Sequence, residues 1–445
     1  MGLALGARRL SAATPAEEIL AASGLASGTG YVLAEAAGGR VIEAHQGGLV
    51  LPPASVAKIV TALYARDRLG PDWRFETRLT AGPDWIALAG GGDPLLDTDA
   101  LGDLLAEAGP KAAPARFIAD ARALPTLAEI DPDQPTEAGY NPGIAGLNLN
   151  FNRVFLAWAP GKAGPDLRLS APGNRFEAAV PGIAAEIGGA GPPRWRRDGA
   201  REVWAFAPAS LRGRGSLWLP VRDPAPYAAE TFRSLAAQGG LVLPPPEFAP
   251  DFAPAPEGAT LALRRSDPLE IALRDMLKYS TNLTAETVGL TASGAADLAA
   301  SGGAMTDWAR GRYPVGPETR FVNHSGLGAG SRTSAADLVA VLLAAQDQGL
   351  PGLLRERPLK GSDGKPAPAE GVRILAKTGT LNFVSALAGY VEGPGDRRRV
   401  FAILAADAAA RARMEPGVED PPGAAAFAKR ARAQEQALLR RWIAG

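Results

Sequence analysis

From about residue 77 to residue 257 the chain reads differently from what flanks it, and that change of texture constrains the whole fold. Inside it, short strand-like pieces such as Trp85-Ile86-Ala87-Leu88-Ala89, Arg116-Phe117-Ile118-Ala119 and Glu202-Val203-Trp204-Ala205-Phe206 alternate with Gly- and Pro-rich connections. A strand-like run at 216–221, a helix-like run at 227–235 and the cluster Pro244-Pro245-Pro246 complete it. A chain of 445 residues exceeds one comfortable core, so two or three domains are expected. We read 77–257 as one or two β-rich inserted domains. The motif Gly90-Gly91-Gly92-Asp93-Pro94 lacks the spacing and lysine of a phosphate-binding loop and reads as a turn.

Before the insertion, residues 15–24 read as a short helix closed by glycine. Residues 30–35 and 40–44 read as a hairpin turning at Gly38-Gly39. Then comes Pro53-Ala54-Ser55-Val56-Ala57-Lys58-Ile59-Val60-Thr61-Ala62-Leu63, the start of a helix that Gly70 ends. Residues i and i+3 are neighbours on a helix, so Ser55 and Lys58 can lie within hydrogen-bond reach. A serine hydroxyl needs a base to become a nucleophile, and a lysine can serve once burial and positive neighbours lower its pKa. The pair alone is weak evidence. A second match, Ser362…Lys365, sits in a Gly/Pro loop with no helix to fix it and reads as a solvated turn.

After the insertion, a strand at 260–263 precedes Asp267-Pro268, read as an N-cap with proline at the first helical position. The helix that follows runs to Lys278, and Tyr279-Ser280-Thr281-Asn282 is a turn before another helix at 283–288. A helix capped near Thr333-Ser334 leads on to a strand, Ile374-Leu375-Ala376-Lys377-Thr378-Gly379-Thr380, with a hairpin beside it at 384–391 and 400–404. The last helix places Phe427, Ala431, Leu438 and Trp442 on one face.

Composition removes several alternatives. With 0 cysteines there is no disulfide, thiolate metal site or thiol nucleophile, and 2 histidines give poor support to a histidine metal site or a Ser-His-Asp triad. A formal net charge of +0 favours neither nucleic acid nor an anionic membrane as partner. No apolar run approaches transmembrane length, and Met1–Leu10 does not read as an export leader.

Ser55-x-x-Lys58 on a helix, Ser280-Thr281-Asn282 in a turn and Lys377-Thr378-Gly379 on a strand are each common. In this order, each on its expected element, they form the set of serine β-lactamases and penicillin-binding proteins. The chain is similar to the penicillin-recognising serine hydrolases, and more narrowly resembles the class C low-molecular-mass penicillin-binding proteins, D-alanyl-D-alanine carboxypeptidases/endopeptidases. Gly90–Leu95, the stretch Tyr140-Asn141-Pro142-Gly143-Ile144-Ala145-Gly146-Leu147-Asn148, Asn323-His324-Ser325-Gly326-Leu327-Gly328 and residues 377–390 extend the resemblance over nearly the whole chain. It departs in Thr281, where Asp is frequent, and in Asn323-His324, which replaces Asp-Gly. We read His324 as a loop residue and not a catalyst.

The resemblance implies an α/β (α+β) sandwich, an antiparallel sheet flanked by helices, with nested β-rich inserted domains. The catalytic domain would be discontinuous, 1–76 and 258–445, and 77–257 the insertion. It implies Ser55 as nucleophile, Lys58 as base, Ser280 as proton relay and Asn282 as orienting group. Lys377 would supply charge, Thr378 would bind the substrate carboxylate, Gly379 would admit the substrate backbone, and the amides of Ser55 and Thr380 would form the oxyanion hole. No metal or cofactor is implied. The partners would be peptidoglycan peptides and, as covalent inhibitors, β-lactams, and the location periplasmic. A β-lactamase or esterase on the same fold, and a non-catalytic peptidoglycan-binding protein, are the competing readings. The long insertion and the retained motif side chains weigh against them.

Overall fold

A computed structural model describes residues 15–109, 113–162, 164–248, 258–395 and 397–444. The stretch Met1–Leu10 read for a leader lies outside the described residues. Five strands from the two ends of the chain form one antiparallel sheet in the order Arg373–Leu381, Val384–Glu392, Arg398–Ala406, Thr29–Glu35, Val41–His45. The inner strands of the sheet are covered on both faces and are nearly all buried, whereas the edge strand Val41–His45 is largely exposed. Alternation still decides direction: Val400, Ala402 and Leu404 pack against the helix Ala57–Leu69 and its neighbours, while Phe401 and Ile403 pack under the C-terminal helix Ala424–Ala444. That last helix buries Phe427, Ala431, Leu438 and Trp442, as its periodicity requires.

The helix Ala57–Leu69 lies inside the molecule, and every residue from Ala57 to Ala65 is buried. A helix apolar all round belongs in a core. Lys58, wholly buried on it, is therefore the exception that needs a reason. No helix among the described residues is long and apolar enough to cross a membrane.

Three further sheets lie between Glu76 and Arg265. A mixed five-stranded sheet runs in the order Pro246–Phe248, Arg116–Asp120, Trp85–Gly90, Glu76–Ala81, Ala259–Arg265. The strand read at 260–263 thus pairs antiparallel with Glu76–Ala81, the first strand after the serine helix, and not with the sheet of the two chain ends. Within the span of that sheet come a four-stranded and a three-stranded sheet, built from residues between Arg153 and Pro220.

Two long helices went unread in the sequence, as did the short ones Leu350–Leu353 and Ala408–Ala412. Thr98–Ala108 lies in the stretch taken as β-rich; Asp97 accepts from Ala100 N at its start and Gly109 is left-handed at its end, so both stop signals were present. Leu298–Arg312 is capped in the same way by Asp297. The proposed N-cap Asp267 is also displaced by one. Pro268 itself holds the cap position with extended backbone, and the helix Leu269–Tyr279 starts after it without a side-chain cap.

Candidate active site

Ser55 is the middle residue of a single 3-10 turn, Ala54–Val56, that feeds the buried helix. Ala54 takes φ 47°, a left-handed conformation that costs a non-glycine residue energy and is found where surroundings over-determine it. Two glycines from elsewhere in the chain supply those surroundings. A Cβ at Gly326 would meet Ala54 O at 1.9 Å, and one at Gly379 would meet Pro53 O at 2.7 Å and Ser55 N at 3.0 Å. Gly379 is therefore required by the approach of the serine turn to the strand, a reason the sequence reading did not give.

Lys58 Nζ reaches three oxygens: Ser55 Oγ at 2.9 Å, Asn282 Oδ1 at 2.7 Å and Ser325 O at 2.7 Å. Two of these are carbonyl oxygens, which only accept. The Asn282 amide cannot turn over, because its Nδ2 donates to Tyr140 O at 2.9 Å. A neutral amine has two hydrogens and one lone pair. The carbonyls take the hydrogens, and the lone pair is left facing the Ser55 hydroxyl. Burial lowers the Lys58 pKa to about 7, against the opposing charge of Glu286.

Glu286 was not singled out in the sequence, although it lies four residues after Asn282 and so on the same face of the helix Asn282–Ser293. It is wholly buried and accepts from His324 N at 3.0 Å and Ser325 N at 2.8 Å. It thereby holds the turn whose carbonyl receives Lys58. Burial raises its pKa, and those bonds together with the charge of Lys58 oppose the rise.

Lys377 Nζ donates to Ser280 Oγ at 2.9 Å and to Thr378 O at 2.6 Å. Burial, then the charges of Lys58 and Arg357, hold its pKa well below the lysine range. Ser280 has φ 63° at the end of the helix Leu269–Tyr279, a left-handed cap that turns its hydroxyl to the lysine. The strand Arg373–Leu381 is an edge strand. Its residues Ile374 and Ala376 bond outward, to Arg357 N and Arg355 O. By the two-residue period the amides of Thr378 and Thr380 face the same way, on the open part of the edge beside Ser55. Arg357, also unread in the sequence, donates to Thr378 Oγ1 at 3.1 Å.

These side chains open on a cavity of about 460 Å³ lined by Ser55, Ser280, Asn282, Thr380 and, from the far side, Tyr140 and Glu419. Tyr140 O–H donates to Glu419 at 2.8 Å, closing one wall with the inserted segment. The eight residues chosen from the sequence, Ser55, Lys58, Ser280, Asn282, Lys377, Thr378, Gly379 and Thr380, thus converge on one place. His324 stands behind them, not among them. It is buried, stacked on Tyr64 and bonded to Ser301 Oγ at 2.6 Å, and burial lowers its pKa to about 3. Ser362 and Lys365 sit exposed in a tight turn.

Residues 15–420 match the model of the D-Ala-D-Ala carboxypeptidase 3 (S13) family. No curated protein matches the sequence. Among solved structures, penicillin binding protein 4 from Haemophilus influenzae is similar with a TM-score of 0.71 at 18% identity, covering 97% of this chain and 99% of that one. The predatory endopeptidase Bd0816 from Bdellovibrio bacteriovorus is similar with a TM-score of 0.50 at 18% identity, covering 93% of each. Penicillin G acylated Bd3459 from the same organism is similar with a TM-score of 0.51 at 16% identity, covering 93% of this chain and 91% of that one. At these identities the structural likeness is one of fold.

Proposed function

The chain belongs to the D-Ala-D-Ala carboxypeptidase 3 (S13) family, and from that membership, which makes it a serine-type D-Ala-D-Ala carboxypeptidase/endopeptidase, we propose how its residues carry the reaction. Ser55 Oγ attacks the carbonyl of the D-Ala-D-Ala bond while Lys58, neutral, takes its proton. The observation that carries this assignment is the Lys58 bonding pattern, two carbonyl acceptors and one hydroxyl. Ser280, held by Lys377, relays the proton taken up by Lys58 to the leaving amine as the C–N bond breaks, so Lys58 is neutral again and Ser280 keeps its hydroxyl. The amides of Ser55 and Thr380 take the oxyanion, and the substrate lies along the open strand edge as an added strand.

The leaving carboxylate is received by Thr378 and Lys377. Because Arg357 occupies an acceptor position of Thr378 Oγ1, that hydroxyl keeps its hydrogen for the carboxylate. Water then releases the acyl group. A β-lactam acylates the same serine and leaves slowly. Cross-linked peptidoglycan lies outside the cytoplasm, so we place the protein in the periplasm. We divide the chain at the paired strands Glu76–Ala81 and Ala259–Arg265, with the insertion lending Tyr140 to the cleft.

The test is hydrolysis of a D-Ala-D-Ala pentapeptide by the wild-type protein and by Lys58→Ala. The assignment expects release of D-alanine by the first and a loss of at least about a thousandfold in kcat/KM in the second. Equal turnover removes Lys58 as the base.

A further inference from the structure

Beside the cleft, on the sheet face that carries the C-terminal helix, lies a second cavity of about 610 Å³. It shares Thr380, Ala425 and Arg432 with the Ser55 cavity, so the two meet at the strand edge. Arg357, Lys360, Lys429, Arg432 and Arg440 line it, and none of them forms an ion pair among the described residues. Isolated surface cations are ordinary; five converging on one concavity make a field that selects anions. The one carboxylate in its wall, Glu435, is buried and accepts from Ser385 Oγ at 2.7 Å, and even fully ionised it balances one of the five cations.

The position of this cavity is specific. Thr378, whose hydroxyl Arg357 contacts, receives the carboxylate of the departing residue in the reaction proposed above. Whatever departs extends past Thr378 into this space. Free D-alanine, with three carbons and one carboxylate, neither fills the cavity nor uses its charge.

We infer that the cavity is the leaving-group subsite for a peptide bearing several carboxylates, the strand released when a peptidoglycan cross-link is cut, with Arg357 joining it to Thr378. The inference rests on Ser55 as the nucleophile. The chemistry is unchanged: the Ser55 Oγ–acyl bond forms, the amide C–N bond breaks, and the amine departs with the proton delivered by Ser280. Lys360, Lys429 and Arg440 line this cavity and not the one that holds Ser55, so in this assignment they act on the larger leaving group alone.

The experiment compares wild type with Lys360→Ala/Lys429→Ala and with Lys429→Glu. Substrates are a D-Ala-D-Ala pentapeptide and a cross-linked muropeptide dimer, with active sites counted by labelled benzylpenicillin. The ratio of kcat/KM for dimer over pentapeptide should fall about tenfold in the double variant and further in Lys429→Glu. Lys429→Arg should keep it, and the wild-type ratio should fall with added salt. A ratio that stays within about twofold in all variants overturns the subsite while leaving Ser55 chemistry intact. A wild type that neither labels nor cleaves the pentapeptide takes down both.

Discussion

The side-chain amide of Asn282 joins Lys58 to the backbone of Tyr140: Oδ1 accepts from Lys58 Nζ at 2.7 Å while Nδ2 donates to Tyr140 O at 2.9 Å. One planar group therefore fixes the lysine and ties it to the inserted segment. The bond to Tyr140 decides which end of the amide the lysine meets, and that in turn leaves its lone pair to Ser55.

Asn282→Asp should break this arrangement in a defined direction. A carboxylate has no hydrogen for Tyr140 O, and its charge beside Lys58 favours the protonated amine. Acylation needs Lys58 neutral, so in wild type the rate rises with pH through about 7. In the variant that rise moves up by at least about one pH unit. The second-order rate of benzylpenicillin acylation, followed from about pH 5 to about pH 9, reads it. A rise at the wild-type pH means another group titrates.

Glu286→Gln should move the same rise the other way, because the only charge that raises the Lys58 pKa is removed. It should also destabilise the fold by about 1–3 kcal/mol, since the backbone N–H groups of His324 and Ser325 lose a charged acceptor. Acylation against pH and urea unfolding measure the two effects separately.

Gly379→Ala should reduce acylation at least about a hundredfold with a modest loss of stability, about 1–3 kcal/mol. The new methyl group meets Pro53 O and Ser55 N and pushes the serine turn off the strand. If acylation survives while stability falls, the close approach is structural alone.

His324 gives a pH dependence of stability. Its folded pKa of about 3 lies below the ordinary histidine value, so between those values the unfolded chain binds the extra proton. The His324 contribution to stability is therefore complete above about pH 6.5 and is lost toward pH 3, on the order of 5 kcal/mol. His324→Gln should lose that part of the slope, so the two stabilities approach each other as pH falls. Parallel curves would show that His324 takes up no proton on unfolding.

Much of this was legible because it is local. The strands of the five-stranded sheet were each legible as strands, and the motif side chains in their order along the chain. Glu286 was within reach, at helical spacing from Asn282, but a lone glutamate on a helix ordinarily reads as solvated. Arg357 and Tyr140 were not legible. Their roles depend on which loop lies along the edge strand and which inserted segment closes the cleft, and long-range placement leaves no periodic trace. The strand Ala259–Arg265 was visible as a strand, but its partner could be known only from the register with Glu76–Ala81. The helices Thr98–Ala108 and Leu298–Arg312 carried their caps in plain view; the first was passed over inside a stretch read as β-rich, the second among small residues of weak periodicity.

The central claim is that Ser55 is the nucleophile, and intact-protein mass spectrometry after benzylpenicillin tests it most directly. Wild type should gain the mass of one penicillin, mapped to the peptide containing Ser55, and Ser55→Ala should gain nothing. An adduct that persists in Ser55→Ala, or maps to another residue, contradicts the account.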